Sequence, residues 1–340
     1  MNNFENSVLD TIKQNNLIND GDIIVVGFSG GPDSTTLIHV LNKLKSEKII
    51  DFQIIAAHVN HGLRENAKLD EEFVQNYCNE NNIPIYVRHV DVKQLANEQK
   101  RGLEEVGRIV RYDFFNELLA AHNCSKIAIA HNKKDSVETM LMNLFRGSGL
   151  GGLKGIQPKD GVYIRPLVNE DRCDIEEYLA NEGIVARIDE SNSDNTYTRN
   201  RIRNVVIPYI EKEFNPNFID SMIRLADIVK ENDDYITSIS DGLYDELVIS
   251  RSDIEIVLNR KKFNELDVVI KKKLILKAVF ELFGTTKGLE KVHIEDVIKL
   301  CDNNIGNKYL TPNKNLKIEL KNKNIYIQKS NKNLIIRTKI

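Results

Sequence analysis

Cysteine is scarce and scattered. Cys78, Cys124, Cys173 and Cys301 are the only four, and no two stand close enough for a CxxC pair. This excludes the common zinc and dithiol motifs, and neither HExxH nor an EF-hand loop is present. A disulfide framework is not expected in a chain of this length that lacks a secretory leader. Long apolar runs are missing too. The longest, around Ile23–Phe28 and Leu274–Phe283, fall far short of the ~20 residues of a membrane-spanning helix. The opening MNNFENSVLD is acidic and polar, without the basic and apolar parts of a leader, so a cytoplasmic protein with no membrane partner is expected. No internal repeat is found. What remains is ordinary: 340 residues, 41% hydrophobic and 29% charged, enough for a sizeable core and two domains. Collagen-like, mucin-like and wholly disordered classes are excluded.

Charge is unevenly placed. Residues 1–260 carry 29 basic and 42 acidic side chains, whereas residues 261–340 carry 18 and 8. From Asn303 onward Glu319 is the only acid against nine Lys/Arg. A basic end on an acidic body fits a polyanionic partner such as nucleic acid, and it equally fits a solvated lysine-rich tail.

The first 190 residues alternate β-branched runs with helical patterns. Strands are expected at Ile23–Phe28, Phe52–Val59, Ile85–Val90, Ile127–Ala130 and Val162–Ile164. Helices are expected at Asn3–Asn15, Ser34–Leu44, Asp70–Glu80, Leu103–Ala121, Asp135–Phe145 and Asp171–Ala180. This spacing means βαβ units and an α/β fold with a mainly parallel, Rossmann-like sheet. Beyond Pro216 the pattern is mostly helical, over Phe218–Leu243, Lys261–Phe283 and Leu289–Leu300. The end, KIELKNKNIYIQKSNKNLIIRTKI, alternates apolar and polar residues and reads as a small antiparallel meander. The expected division is 1–215, catalytic, and 216–340, helical and ending in the basic meander.

The chemistry points to Ser29-Gly30-Gly31-Pro32-Asp33-Ser34, between the first strand and its helix. In an open parallel sheet, ligands bind at the carboxyl ends of strands beside helix N-termini. Two glycines allow a tight turn that aims consecutive N–H groups at an anion, and the helix dipole adds to it. The hydroxyls of Ser29 and Ser34 are candidate phosphate donors. Asp33 makes sense beside phosphates if Mg²⁺ lies between them, so it is the metal candidate. A Walker A loop is excluded because no lysine is near, and a dinucleotide fingerprint is excluded by spacing.

SGGPDS resembles the pyrophosphate loop of the ATP-pyrophosphatase superfamily, which implies an adenine nucleotide α-hydrolase-like fold and cleavage of ATP between its α and β phosphates. Four more blocks narrow the resemblance: His58-Val59-Asn60-His61-Gly62-Leu63-Arg64; LEEVGRIVRY with Glu104, Arg108, Arg111 and Tyr112; residues 130–156, AHNKKDSVETMLMNLFRGSGLGGLKGI; and residues 188–210, IDESNSDNTYTRNRIRNVVIPYI. With IRPL at 164–167 they look like the tRNA(Ile)-lysidine synthase family, well over residues 20–212 and more weakly beyond.

The resemblance implies ATP and Mg²⁺ as cofactors and L-lysine and a CAU-bearing tRNA(Ile) as partners. It implies joining of lysine to C2 of the wobble cytidine through an adenylated tRNA, with release of AMP and diphosphate. The product would read AUA rather than AUG and be charged with isoleucine rather than methionine. His58 and His61, at the end of a strand, are nucleotide candidates or core histidines. Arg108 and Arg111 share a helix face with Glu104 and are candidates to face the active site. His131, Asp135 and Glu138 are candidates for the base that takes a proton from the lysine ammonium. The two acids could also hold Mg²⁺ or orient the amine, or Asp135 could cap a helix. Lys134 and Asn132 depart from the family pattern, which commonly has an acid and a second histidine there; this leaves Asp33 the better metal candidate. Arg146 and Lys154 flank a glycine-rich stretch that is either a flexible linker or a mobile loop over the site. Arg64, Arg199, Arg201 and Arg203 are phosphate or tRNA candidates. A tRNA 2-thiolation enzyme on the same loop is the alternative, and would need a sulfur-carrying cysteine such as Cys78 or Cys124. The sequence leaves the oligomeric state open, a homodimer included.

Overall fold

Near-continuous β-branched runs form strands that helices cover on both faces. The computed structural model describes residues 1–62, 67–187, 196–286, 288–302 and 308–330. Strands β1 (Ile23–Gly27), β2 (Gln53–Asn60), β3 (Ile85–His89), β4 (Lys126–Ala128), β5 (Lys159–Asp160) and β6 (Tyr163–Ile164) form one sheet in the order β3-β2-β1-β4-β6-β5. Every pairing in it is parallel except β5 with β6. The order reverses between β1 and β4, so the segments leaving these two strands open side by side at a topological switch point.

Side-chain alternation along β1 decides what packs where. Ile24 and Val26 join one core with residues of α1 (Asn3–Gln14), α2 (Pro32–Ser46), α3 (Ala67–Glu80) and α8 (Arg172–Asn181). Val25 points the other way, into a core with Phe114, Phe115 and Leu118 of α5 (Leu103–Ala121). Helix α4 (Val92–Gln99) was not expected; Asp91 caps it by accepting from the Gln94 N–H. Helix α6 (Lys133–Phe145) leaves β4, and α7 (Leu150–Leu153) follows it.

After α9 (Thr198–Arg201) comes one π-helical turn, Ile202–Val206, then α10 (Ile207–Glu213). Pro208 has no N–H to offer the preceding turn, and the helix widens so that Ile207 N–H bonds the Ile202 carbonyl instead. Ile202 and Ile207 pack on Val137 and Leu141 of α6. Helix α11 (Phe218–Leu247) follows.

The described chain divides into two compact units, Met1–Val229 and Lys230–Ile340. The expected cut near residue 215 falls ahead of α11. In the second unit, β7 (Val248–Arg251), β8 (Glu255–Asn259), β9 (Tyr309–Asn313), β10 (Leu316–Lys321) and β11 (Asn324–Lys329) form an antiparallel sheet in the order β7-β8-β11-β10-β9. The expected meander is therefore part of a larger sheet, to which β7 and β8 add from between expected helices; residues 331–340 lie outside the described range. Leu316, Ile318, Leu320, Ile325 and Ile327 are buried with residues of α13 (Val268–Phe283) and α14 (Lys291–Asp302). Helix α12 (Arg260–Asn264) contributes Phe263 to that core.

The lysines of α13 are largely spent within this unit. Lys271 pairs with Asp302 at 3.4 Å, Lys272 with Glu295 at 3.8 Å, and Lys273 with Asp233 and Lys277 with Asp241 at 2.5 Å. Among the described residues from Lys308 onward, Lys308, Lys314, Lys321, Lys323 and Lys329 are exposed, on and around the sheet. No helix among the described residues is long and apolar enough to cross a membrane.

Candidate active site

The loop after β1 is a tight turn braced from within. Gly30 takes φ +86°, and a Cβ there would come within 3.2 Å of Phe73 and 3.3 Å of Val74, so the position calls for glycine twice over. Its carbonyl accepts from the Thr35 hydroxyl at 3.1 Å and the Arg187 N–H at 2.9 Å. Arg187 in turn donates to Asp70 at 3.0 Å. Pro32 opens α2, where a missing N–H costs nothing. Ser34 is buried; it accepts from the Ser29 N–H at 3.2 Å and its hydroxyl donates to the Gly31 carbonyl at 3.0 Å. Ser34 thus braces the loop from inside rather than presenting a free donor. The Ser29 hydroxyl is 3.0 Å from that of Ser34.

Asp33, in the first turn of α2, reaches across the switch point. Its Oδ1 accepts from Asn132 Nδ2 at 3.0 Å and its Oδ2 from Arg172 Nη1 at 2.5 Å. Burial raises its pKa above the ordinary value; Arg172 pulls it back and Asp135 adds to the rise. Asn132 is the pivot. Its Oδ1 accepts from the Asp135 N–H at 3.0 Å, while the Asn132 N–H donates to Asp135 Oδ2 at 3.1 Å, a capping box that starts α6. One amide therefore ties the loop of β1 to the acids of α6.

Those acids do not stand open. Glu138 is fully buried and Asp135 nearly so. Arg199 Nε donates to Glu138 Oε2 at 2.8 Å and its Nη2 to Asp135 Oδ1 at 3.0 Å. Arg203 donates from Nε to Glu138 Oε1 at 2.5 Å and from Nη2 to Glu138 Oε2 at 2.9 Å and Asp135 Oδ1 at 2.8 Å. The i, i+3 spacing of the acids and the i, i+4 spacing of the arginines put both pairs on facing helix surfaces. Two guanidiniums make it feasible to bury two carboxylates. Arg201, between them in sequence, is exposed and donates to the Thr198 hydroxyl. The three arginines expected to act together thus divide between an inner cluster and the surface.

The family profile described as PP-loop domain matches residues 2–210. A tRNA(Ile)-lysidine synthase from Clostridium acetobutylicum is 41% identical over 91% of this chain and 66% of its own length. Another from Clostridioides difficile is 38% identical over 92% of this chain and 68% of its own. The chain belongs to the tRNA(Ile)-lysidine synthase family. It spans about two thirds of the length of these relatives. Among solved structures, the U34-tRNA thiolase NcsA from Methanococcus maripaludis, determined with its [4Fe-4S] cluster, is similar with a TM-score of 0.54 at 19% identity. That match covers 66% of this chain and 78% of the other, and shows the fold alone.

His131, leaving β4, is set by an arginine that the expected site did not include. Arg165 Nε donates to His131 Nδ1 at 3.2 Å, and Arg165 Nη1 to the Gln157 carbonyl at 2.8 Å. A guanidinium can only donate, so Nδ1 is the lone-pair nitrogen and the ring proton lies on Nε2. Burial pushes the His131 pKa down to about 4; Asp135 opposes the shift while Arg165, Arg199 and Arg108 add to it. Above pH 6.5 the folded and unfolded rings are both neutral. Below it the unfolded chain binds a proton that the folded one refuses until about pH 4, so stability is lost as pH falls through that window. Urea unfolding at pH 7.5 and pH 5 is expected to give a drop larger by on the order of 1–2 kcal/mol in the wild type than in His131→Gln.

The remaining candidates lie as follows. Arg108 stacks 4.7 Å over the Tyr112 ring and donates to its hydroxyl at 3.1 Å, and both Arg108 and Arg111 are exposed. Among the described residues neither is ion-paired to a carboxylate, so both remain available to an anion. His58 is the core alternative: it is buried, with Nδ1 2.9 Å from the Phe28 carbonyl. His61 packs toward α5, where a Cβ on Gly107 would meet its Cε1 at 3.7 Å. Arg64 lies outside the described residues. Arg146 is exposed at the end of α6, and Lys154 is half-buried after α7.

The glycine-rich stretch is anchored rather than loose. Asn143 Nδ2 donates to the Gly152 carbonyl at 2.9 Å, and the Ile156 N–H to the Ser136 hydroxyl at 2.8 Å. A Cβ at Gly155, whose φ is +66°, would lie 2.3 Å from Ser136 Oγ. Gly155→Ala is therefore expected to cost about 1–3 kcal/mol, read as a lowered Tm, by displacing Ser136 beside Asp135.

Two further points bear on chemistry. Cys78 and Cys124 are both buried; burial pushes the Cys78 thiol up to about 12 and raises that of Cys124. Neither is a ready thiolate. No three His, Cys, Asp or Glu side chains among the described residues converge as a metal cage. The donor set fits Mg²⁺ only as phosphate enzymes hold it, by one carboxylate with substrate phosphates and water, and the carboxylate on this loop is Asp33.

Proposed function

We propose that the protein is an ATP-dependent ligase that attaches L-lysine to C2 of the wobble cytidine of a CAU-bearing tRNA(Ile). The observation that carries this reading is the Asn132 link, which ties the loop after β1 to the buried acid–arginine cluster of α6. The family's name agrees with it. The loop of residues 29–34 takes the ATP phosphates. Mg²⁺ held at Asp33 would neutralise charge on them. Arg108 and Arg111 meet the negative charge of the nucleotide or tRNA backbone.

The cytidine C2 oxygen attacks the α-phosphate and diphosphate leaves. The lysine amine then attacks C2, AMP departs with the oxygen, and the amine gives up a proton. Asp135 and Glu138 are already neutralised by Arg199 and Arg203, so their proposed role is to hold those two arginines in place rather than to meet the ammonium. His131, with its proton on Nε2, is suited to donate a hydrogen bond rather than to accept that proton at Nδ1. The exposed lysines of the C-terminal sheet are proposed to contact tRNA. Converting tRNA decoding from AUG to AUA, and charging from methionine to isoleucine, follows from that product.

The test is diphosphate release from ATP with and without a tRNA(Ile) transcript bearing CAU. Release that needs the transcript supports the reading; release indifferent to it counts against a tRNA substrate. In the same assay Asn132→Ala is expected to raise the KM for ATP about tenfold, with about 1 kcal/mol lost from the α6 cap in urea unfolding. An unchanged KM would mean that the Asn132 link does not position Asp33.

A further inference from the structure

Arg172 opens α8, 139 residues from Asp33 in sequence, yet its Nη1 is 2.5 Å from Asp33 Oδ2. On the other side its Nε donates to Glu176 Oε1 at 2.7 Å, an i, i+4 pair. A guanidinium carries five N–H donors in a fixed plane. Two carboxylates thus hold one edge and one arm, and Nη2 makes no hydrogen bond within the described protein. The side chain is only half-buried, so that arm is open to a ligand.

The place matters as much as the spare donors. An anion seated on the Gly30–Gly31 turn meets the Asp33 carboxylate on the same helix start, which repels it. The positive group in direct contact with Asp33 is Arg172. We propose that Arg172 is a phosphate ligand of this loop. Asp33 and Glu176 fix its plane, and the free Nη2 arm donates to a phosphate oxygen of the bound nucleotide. Asp33 then has a second task beside any cation: orienting Arg172. The two tasks are compatible, since a carboxylate offers about four lone-pair sites. This inference rests on the reading of residues 29–34 as the ATP site.

The test is equilibrium binding of ATP and of inorganic pyrophosphate by calorimetry, in EDTA so that no divalent cation contributes. The proteins compared are the full-length wild type, Arg172→Gln, Arg172→Lys and the double variant Asp33→Asn/Arg172→Gln, each with its Tm recorded. Arg172→Gln is expected to bind both ligands about 10- to 100-fold more weakly at unchanged Tm, the range of a charge-assisted hydrogen bond. Arg172→Lys is expected to recover only part, because it keeps the charge and loses the fork. The double variant is expected to stay as weak as Arg172→Gln. Recovery in the double variant would overturn the proposal, because Arg172 would then merely neutralise Asp33. Equal binding by wild type and Arg172→Gln would overturn it as well. Should the wild type itself bind neither ligand, the nucleotide site fails and the inference falls with it, a result distinct from the other two.

Discussion

Glu138→Gln is expected to lower turnover by at least about 10²-fold and to destabilise the fold by about 3–5 kcal/mol. The reason lies in the donor count. Glu138 is fully buried and takes three hydrogen bonds from Arg199 and Arg203. Glutamine keeps the shape but turns one acceptor into an NH₂ donor, which faces a guanidinium that can only donate. One arginine is left without its buried counter-charge, and Asp135 alone must hold two. The same change frees the two arginines that Glu138 is proposed to hold in place for the reaction. Urea unfolding and diphosphate release, measured at a temperature where the variant is folded, separate the two effects. Near-normal turnover at unchanged stability would show that the cluster neither holds the helices together nor serves the reaction.

The second large effect is at Asp33. Asp33→Ala is expected to cut diphosphate release about 10³-fold with little loss of stability, because Asp33 is part-exposed in the first turn of α2. It removes the carboxylate proposed for the metal and frees both Asn132 and Arg172 from their shared partner. Pre-steady-state release from ATP and tRNA(Ile) measures the first step alone. Wild-type release by Asp33→Ala would exclude Asp33 as metal ligand and as anchor of Arg172.

The loop was legible because its parts are local. A β-branched strand, two glycines, a proline at the helix start and an acid in the first turn all fall within twelve residues, and each acts on its neighbours. The parallel sheet was legible for the same reason, since its strands are continuous apolar runs. What the acids of α6 would meet was not legible. Periodicity puts Asp135 and Glu138 on one face, but it carries no information about a helix sixty residues later whose arginines turn inward over a π turn. Arg165 and Arg172 were likewise invisible, because their partners lie 34 and 139 residues away. His58 illustrates the converse: a histidine at a strand end can serve a ligand or a neighbouring carbonyl, and only packing decides. Asn132 read as a departure from the family pattern, although its amide is what joins the loop after β1 to the acids of α6. In the second unit, charge counting overstated the free basic surface, because the lysines of α13 face acids of their own unit. The sheet there was underread because β7 and β8 are short and lie between long helices.

We propose that this site joins lysine to tRNA at the expense of ATP. Its most direct test is incorporation of labelled L-lysine into a CAU-bearing tRNA(Ile), with ATP and Mg²⁺, beside a sample without ATP and one with methionine tRNA, which shares the anticodon. Labelling that requires ATP and is confined to tRNA(Ile) is the predicted result. Diphosphate release on another tRNA with no lysine incorporated would contradict it, leaving the loop chemistry in place but assigning it to a different modification.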